Sequence, residues 1–276
     1  MSHGYTALTV RRDRGVAFVS FDHPPVNLVD AQLITDLDRF HDEIHDDAAI
    51  RVIVFQSALP DFFLAHGDMR LVSEPETLAA YAAGPGPGLY RRFAGLPQVT
   101  IAKVAGRVRG GGAEFLLYLD LRYAALGSSW FGQPEVSLGI IPGGGGTQLL
   151  PRLIGRSRAL EVVLGGGRYD AATAERYGWI DRALPAAELD AFVDDLAFRI
   201  AAQPPAAVAA AKEAIAHATD ARDADTDRET ALLMPLFTGP EARQRFSDAL
   251  AAGAQTHPGE LDLEGLLGRL GAVAVE

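Results

Sequence analysis

Apolar and polar residues follow one another along the first half of the chain in a pattern that predicts strands and helices in turn. Residues 8–10 and 16–21 are rich in β-forming side chains and flank a charged turn that ends at Gly15, which predicts a hairpin. Asp30 is the predicted N-cap of the helix that follows. Apolar residues then recur at helical intervals, at Leu33, Leu37, Phe40 and Ile44.

The same succession continues through the middle of the chain. Strands are predicted at residues 52–55, 99–104 and 121–125, a weak helix at 75–81, and another helix that opens at glycines 110–112. Strands that alternate with helices need crossover connections, so this order favours an α/β fold around a largely parallel sheet.

The sequence becomes helical in character after Pro185. Alanine-rich helical segments are predicted at residues 187–201, 206–218, 227–236 and 241–252. We therefore predict a core domain over residues 1–200 and a helical C-terminal region over residues 201–276.

Composition narrows the possible partners. The 25 basic residues against 36 acidic ones give a net charge of −11, which argues against nucleic acid or an anionic membrane as a partner. The sequence contains no cysteine, which excludes disulfides and a cysteine nucleophile and favours a cytoplasmic location. No apolar run approaches the roughly 20 residues that a membrane helix needs.

Two patterns in the sequence partly resemble ligand-binding motifs, one for a metal ion and one for a nucleotide. His41 and His45 are four residues apart on the first helix, but the order of acidic residues around them does not match a zinc motif, so we predict no metal site and a solvated helix face. The glycine runs 110–112 and 143–146 lack the spacing and the lysine of nucleotide-binding loops.

Each glycine run lies close to a glutamate. Glu114 follows glycines at the predicted start of a helix, where backbone amides without partners can hold an oxyanion, although a simple tight turn explains the same glycines. Glu135 precedes the second run. Spacing alone leaves Glu135 equally well explained as a solvated loop residue, and it does not show that the two carboxylates meet.

Longer motifs surround both glutamates. The segment A-G-R-V-R-G-G-G-A-E-F begins at Ala105, and F-G-Q-P-E-V-S-L-G-I-I-P-G-G-G-G-T-Q begins at Phe131. Together with F-L-A-H-G-D-M at residues 63–69, they closely resemble the motifs of the enoyl-CoA hydratase/isomerase (crotonase) family. The resemblance extends from about residue 8 to about residue 215.

This resemblance implies both a fold and an activity. The fold would be α/β, a crotonase-like spiral of β-β-α turns with a helical C-terminal region through which the chain forms a homotrimer or a dimer of trimers. The substrate would be an acyl-CoA thioester, with coenzyme A entering as part of the substrate and no separate cofactor. The favoured reaction is addition of water across the C2=C3 bond of a trans-2-enoyl-CoA.

The resemblance also assigns residues to roles. The backbone amides of Gly67 and Gly111 would form the oxyanion hole for the thioester oxygen. Glu114 would activate the water and Glu135 would deliver the proton. Further substrate-binding positions are implied at Ala65, His66, Asp68, Arg70 and Gly143, the last of these close to the water.

The sequence departs from the family pattern at several positions. His66 replaces a glycine and is interpreted as pointing outward, and Arg109 replaces an apolar residue and is interpreted as part of a surface or inter-subunit ion pair. Arg70 would compensate for the absence of a basic residue in the loop 23–28.

Two other functions stay open. An enoyl-CoA isomerase needs one carboxylate, and Glu135 occupies the expected position. An acyl-CoA-binding paralogue with little turnover is the second alternative, and the acidic charge balance opposes an RNA-binding version of it.

Overall fold

The computed structural model describes residues 4–68, 88–138 and 141–219, together with isolated positions outside these ranges. The chain divides into two compact units, Met1–Ala197 and Phe198–Glu276. The elements, in chain order, are β1 (Leu8–Asp13), β2 (Val16–Phe21), α1 (Ala31–His45), β3 (Val52–Ser57), β4 (Phe62–Leu64), α2 (Gly88–Ala94), β5 (Val99–Val104), β6 (Arg107–Arg109), α3 (Gly111–Leu116), β7 (Leu121–Ala125), β8 (Trp130–Gly132), a 3₁₀ helix (Glu135–Leu138), α4 (Gly146–Ile154), α5 (Arg156–Gly165), β9 (Tyr169–Asp170), α6 (Ala171–Tyr177), β10 (Arg182–Leu184), α7 (Ala186–Ala201) and α8 (Pro205–Thr219).

The larger sheet confirms the predicted strands. Its spatial order within the described chain is β1, β2, β3, β5, β7 and β10. β1 and β2 form the predicted antiparallel hairpin, and every later pair in this sheet is parallel. The parallel pairs follow from the helical crossovers that the hydrophobic pattern indicates.

A second, smaller sheet contains β4, β6, β8 and β9. The first three of these strands run parallel to one another, and β9 is antiparallel to β8. Carboxyl ends of parallel strands meet at one edge of a sheet. Residues that follow β4, β6 and β8 are therefore brought to a common edge.

Helix α1 forms as the sequence predicts. The Asp30 side chain accepts a hydrogen bond of 2.9 Å from the amide of Leu33, and the predicted apolar stripe is buried. The expectation of a solvated face at His41 is wrong, because that ring is buried edge-on against Phe93 of α2. His45 is about half exposed, as expected.

Helix α3, only six residues long, is anchored by Phe115. Its buried ring makes edge-on contacts with Phe55 and Phe93, with ring centroids 5.2 and 5.5 Å away. Such aromatic pairs are directional, so they fix the rotation of the helix as well as its position. Glu114 on the same helix is thereby held in a fixed direction.

Helices α7 and α8 confirm the predicted helices at residues 187–201 and 206–218. The helices predicted at 75–81, 227–236 and 241–252 fall wholly or almost wholly outside the described residues. None of the helices among the described residues has the length and apolar character to cross a membrane. Over the same residues, no cluster of three or more histidine or acidic side chains is arranged to hold a metal ion.

Candidate active site

Glu114 lies in the first turn of α3 and is 4% exposed. Its Oε1 accepts hydrogen bonds from the amides of Gly144, at 2.7 Å, and Gly146, at 2.8 Å. Gly145, between them, has a φ of 116°, a left-handed conformation that favours glycine. Alternating amides around such a residue form an anion-binding nest, so we call residues 144–146 the glycine nest.

The glycine nest occupies one oxygen of Glu114 and leaves the other open. Burial raises the pKa of the Glu114 carboxyl, and the two nest amides oppose that rise because they stabilise the ionised form. A Cβ added at Gly144 would lie 2.8 Å from Oε2, so the glycine keeps that space empty. Oε2 can therefore receive a small polar group at hydrogen-bond distance.

Glu135 begins the 3₁₀ helix and is also buried. Burial raises its pKa to about 7, and the nearby charge of Glu114 adds to the rise. With its NH₂ group turned toward the carboxylate, Gln133 donates to both oxygens of Glu135, at 3.0 and 3.1 Å. This orientation fits an ionised Glu135, and with Glu135 protonated the Gln133 oxygen can instead accept from the carboxyl hydroxyl, so the amide can pair with either form.

Spacing along the sequence does not show whether Glu114 and Glu135 meet. In the structure their carboxylates lie close enough for their charges to interact. Gly110, directly after β6, has no side chain and so leaves space for the Glu135 carboxylate. A Cβ added at Gly110 would lie 2.8 Å from Oε1 of Glu135, so a larger residue there would displace the carboxylate. At neutral pH the pair presents one carboxyl with a pKa near 7 and one held by two amides.

Two backbone amides meet beside this pair. A Cβ added at Gly111 would lie 3.5 Å from the amide nitrogen of Gly67. The His66 carbonyl accepts from the amide of Val29 at 3.2 Å, and because a trans peptide directs its N–H opposite to its C=O, the Gly67 N–H points away from Val29. Gly111 is the first residue of α3, where the amide has no partner within the helix. Within the described residues, neither amide has an acceptor.

The sequence profile of the enoyl-CoA hydratase/isomerase family matches residues 11–247. That is most of the chain, and it includes every residue of the site described above. The chain belongs to the enoyl-CoA hydratase/isomerase family. The resemblance inferred from the motifs is thereby confirmed.

Individual members of the family are similar over most of their length. The short-chain-enoyl-CoA hydratase of Clostridium acetobutylicum is 31% identical over 208 residues, which are 75% of this chain and 79% of that protein. A crystal structure of an enoyl-CoA hydratase from Geobacillus kaustophilus matches with a TM-score of 0.82 and 31% identity, covering 89% of this chain and 94% of that one. A Streptomyces avermitilis protein, provisionally described as an enoyl-CoA hydratase, is 44% identical with a TM-score of 0.72, covering 98% and 99%. These neighbours confirm the predicted crotonase-like α/β fold.

The other positions implied by the family pattern are placed as follows. Ala65 and Asp68 are buried beside the Gly67 amide, and the Asp68 amide donates to Val29. Gly143 is exposed, and its neighbours Gly144 and Gly146 make the contacts to Glu114. Arg70 lies outside the described residues. The roles predicted for these residues stay predictions.

The two unusual residues of this family member differ in their surroundings. His66 is partly buried, and its Nδ1 lies 2.8 Å from the carbonyl oxygen of Gly67, which can only accept, so Nδ1 carries a proton. The Arg109 side chain has no salt bridge or hydrogen bond to the described part of the chain, and its Nε is buried. The surface or inter-subunit ion pair predicted for Arg109 stays a prediction.

Sequence reasoning missed several residues of the site. Gln133 and the nest glycines lie inside the quoted motifs, so their presence was visible, but nothing local indicates that they contact Glu135 and Glu114. Tyr118 lies against Gly145, and the Tyr90 hydroxyl is 3.8 Å from where a Gly111 Cβ would be, but neither tyrosine carries a motif signal. They become part of the site only because the fold brings α2, α3 and the glycine nest together.

Proposed function

We propose that this family member is an enoyl-CoA hydratase, which adds water across the C2=C3 bond of a trans-2-enoyl-CoA thioester. The observation that carries the proposal is the pair of buried carboxylates in unlike environments, Glu114 in the glycine nest and Glu135 with a pKa of about 7. Hydration needs one base and one acid near the same double bond, and unlike environments supply both at one pH.

The thioester oxygen would lie between the amides of Gly67 and Gly111. When water adds at C3, electrons move from the double bond toward the thioester and negative charge develops on its oxygen. Two fixed N–H donors stabilise that charge more than they stabilise the uncharged substrate, so they lower the barrier.

Glu114 would act as the base and Glu135 as the acid. Glu114 takes one proton from water while the water oxygen bonds to C3, and Glu135 gives its proton to C2. Passage of a proton from Glu114 to Glu135, directly or through solvent, restores the starting state. Coenzyme A takes part only as the carrier of the acyl group, and the proposal needs no further cofactor.

The competing activity is isomerisation between 3-enoyl and 2-enoyl thioesters, which would need Glu135 alone. Paired assays with 2-enoyl-CoA and 3-enoyl-CoA of the same chain length separate the two. The proposal predicts that 2-enoyl-CoA loses its conjugated absorbance with a kcat/KM at least about 10-fold above that for 3-enoyl-CoA. A preference for 3-enoyl-CoA would overturn it.

The pH dependence of kcat/KM should be bell-shaped, because the free enzyme needs Glu135 protonated and Glu114 ionised. Activity should fall as pH rises through about 7, where Glu135 loses its proton. At low pH it should fall as Glu114 gains a proton, above the ordinary glutamate range because burial raises the pKa of Glu114. Because the two carboxyls interact, the two limbs of the profile report the titration of the pair and not of each carboxyl separately. A flat profile from about pH 6 to about pH 9 would contradict these roles.

A further inference from the structure

Tyr118 contacts the glycine nest directly. A Cβ added at Gly145 would lie 2.5 Å from the Tyr118 hydroxyl and 3.0 Å from both Cε2 and Cζ of the ring. Real Cβ atoms do not come this close to other atoms, so the phenol packs against the backbone of Gly145 itself. Two features therefore require glycine at position 145, its positive φ and this contact with the ring.

The same short segment carries both Glu114 and Tyr118. Tyr118 follows α3 by two residues, and its amide bonds to the carbonyl of Phe115, which continues the helical winding. Side chains four residues apart lie on one face of a helical segment. The carboxylate and the phenol therefore approach the nest from the same side, the carboxylate at the nest amides and the phenol at the residue between them.

The glycine nest is held by contacts on two sides, one toward α4 and one toward α3. Gly145 is the N-cap of α4, and no side chain caps that helix. Glycine has the largest backbone entropy of any residue, so three in succession hold a fixed geometry only when their surroundings impose it. The Gly145 carbonyl accepts from the amides of Gln148 and Leu149 as α4 begins, and Pro142 and Gln133 approach Gly146 closely. On the side of Gly145 that faces α3, the described contacts are the hydrogen bonds of its neighbours to Glu114 and the Tyr118 ring.

We propose that Tyr118 is a positioning residue for catalysis, which braces Gly145 so that the amides of Gly144 and Gly146 stay directed at Oε1 of Glu114. The phenol does not touch the reacting atoms in this role. It acts through the nest, and its effect is to keep Glu114 ionised with Oε2 turned toward the substrate. The role in turnover rests on the proposed hydratase function, but the effect on Glu114 does not.

The charged and titratable groups around this cluster set the sign of the expected effect. The charge of Glu114 acts on Glu135, the charge of Arg91 of α2 acts on the Tyr118 phenol, and the Tyr90 ring lies beside that phenol, with centroids 6.1 Å apart. The nest amides lower the pKa of Glu114 against its burial. If the nest loosens, that support weakens and the pKa of Glu114 rises.

The test compares three variants by ¹³C NMR titration of the Glu114 carboxyl, with the signal assigned by its loss in Glu114→Gln. Tyr118→Leu removes the ring atoms that contact Gly145, and we expect the pKa of Glu114 to rise by about one unit. Tyr118→Phe keeps Cε2 and Cζ, so its shift should stay within about 0.3 unit of the wild type. Tyr177→Leu makes the same exchange on α6, away from the nest, and should leave the Glu114 titration unchanged.

Turnover gives the second readout. In Tyr118→Leu the acid limb of kcat/KM should move to higher pH by the same amount, and kcat at neutral pH should fall about 10-fold with KM nearly unchanged. Tyr118→Phe should keep most of the wild-type kcat and an acid limb close to that of the wild type. If circular dichroism shows that Tyr118→Leu does not fold, Tyr118→Met takes its place, because the longer and more flexible methionine adapts to the space of the ring.

The outcomes separate the two proposals. No Glu114 shift in Tyr118→Leu, an equal shift in Tyr118→Phe, or an equal shift in Tyr177→Leu would each overturn the bracing role, whatever the enzyme does. Absence of hydration by the wild-type protein, with the expected titration shifts present, would instead reject the hydratase function and leave the brace intact.

Discussion

Glu114→Gln and Glu135→Gln are each expected to lower kcat for 2-enoyl-CoA hydration by at least about 10²-fold, with KM changed by less than about 3-fold. Glutamine has nearly the same shape as glutamate but neither accepts nor delivers a proton in the reaction. The loss should therefore appear in the transition state and not in substrate binding.

The structure indicates that both variants fold. In Glu114→Gln the amide oxygen can still accept from Gly144 and Gly146, with the new NH₂ group at the open Oε2 side. In Glu135→Gln the Gln133 amide can rotate to pair with its new neighbour. Neither change leaves a buried group without a partner, so the kinetic effect is separated from a loss of stability.

The matched control is Glu161→Gln, which alters a partly solvated glutamate on α5 whose partner is the Tyr177 hydroxyl. It should keep wild-type kinetics. The double variant Glu114→Gln/Glu135→Gln should lose less than the product of the single losses, because both groups act in one step. Near-normal turnover in either single variant would reject the role assigned to that residue.

Gly111→Pro should lower kcat by on the order of 10²-fold, about 3 kcal/mol in barrier, because it removes one oxyanion donor. Proline is well tolerated at the first position of a helix, and Gly111 occupies that position of α3. Steady-state kinetics with thermal unfolding on the same samples would show whether activity falls while the fold is kept.

Arg156→Pro is the matched control, since Arg156 is the exposed first residue of α5 and also follows a glycine N-cap. It makes the same backbone change at a helix start away from the carboxylate pair and should leave kcat unchanged. If folded Gly111→Pro also turned over at the wild-type rate, glycines 110–112 would serve only as a turn.

The long elements could be predicted from the sequence because their signals are local. The α1 stripe, its Asp30 cap and the β-rich runs of the larger sheet each lie within one stretch of chain, and the structure has them at nearly the predicted bounds. The strands of the small sheet are two or three residues long, too short for a periodic pattern to develop. These short strands nevertheless build the edge where the site lies.

The site depends on contacts between distant parts of the chain, so spacing could not establish it. Glu114 and Glu135 come together because β6 and β8 pair in parallel, and only the motif resemblance suggested this beforehand. His41 shows the opposite failure. Its place beside the apolar stripe predicts a solvated ring, but α2 packs over it, and the His41 Nε2–H donates to the Arg92 carbonyl at 3.2 Å.

Mass spectrometry of the product formed from a trans-2-enoyl-CoA in ¹⁸O-labelled heavy water shows where the enzyme adds oxygen and hydrogen. If the enzyme hydrates the substrate, the product is a 3-hydroxyacyl-CoA with one labelled oxygen, at C3, and one deuterium, at C2. Recovery of 3-enoyl-CoA that carries deuterium but no labelled oxygen would contradict hydration, as would recovery of unchanged substrate.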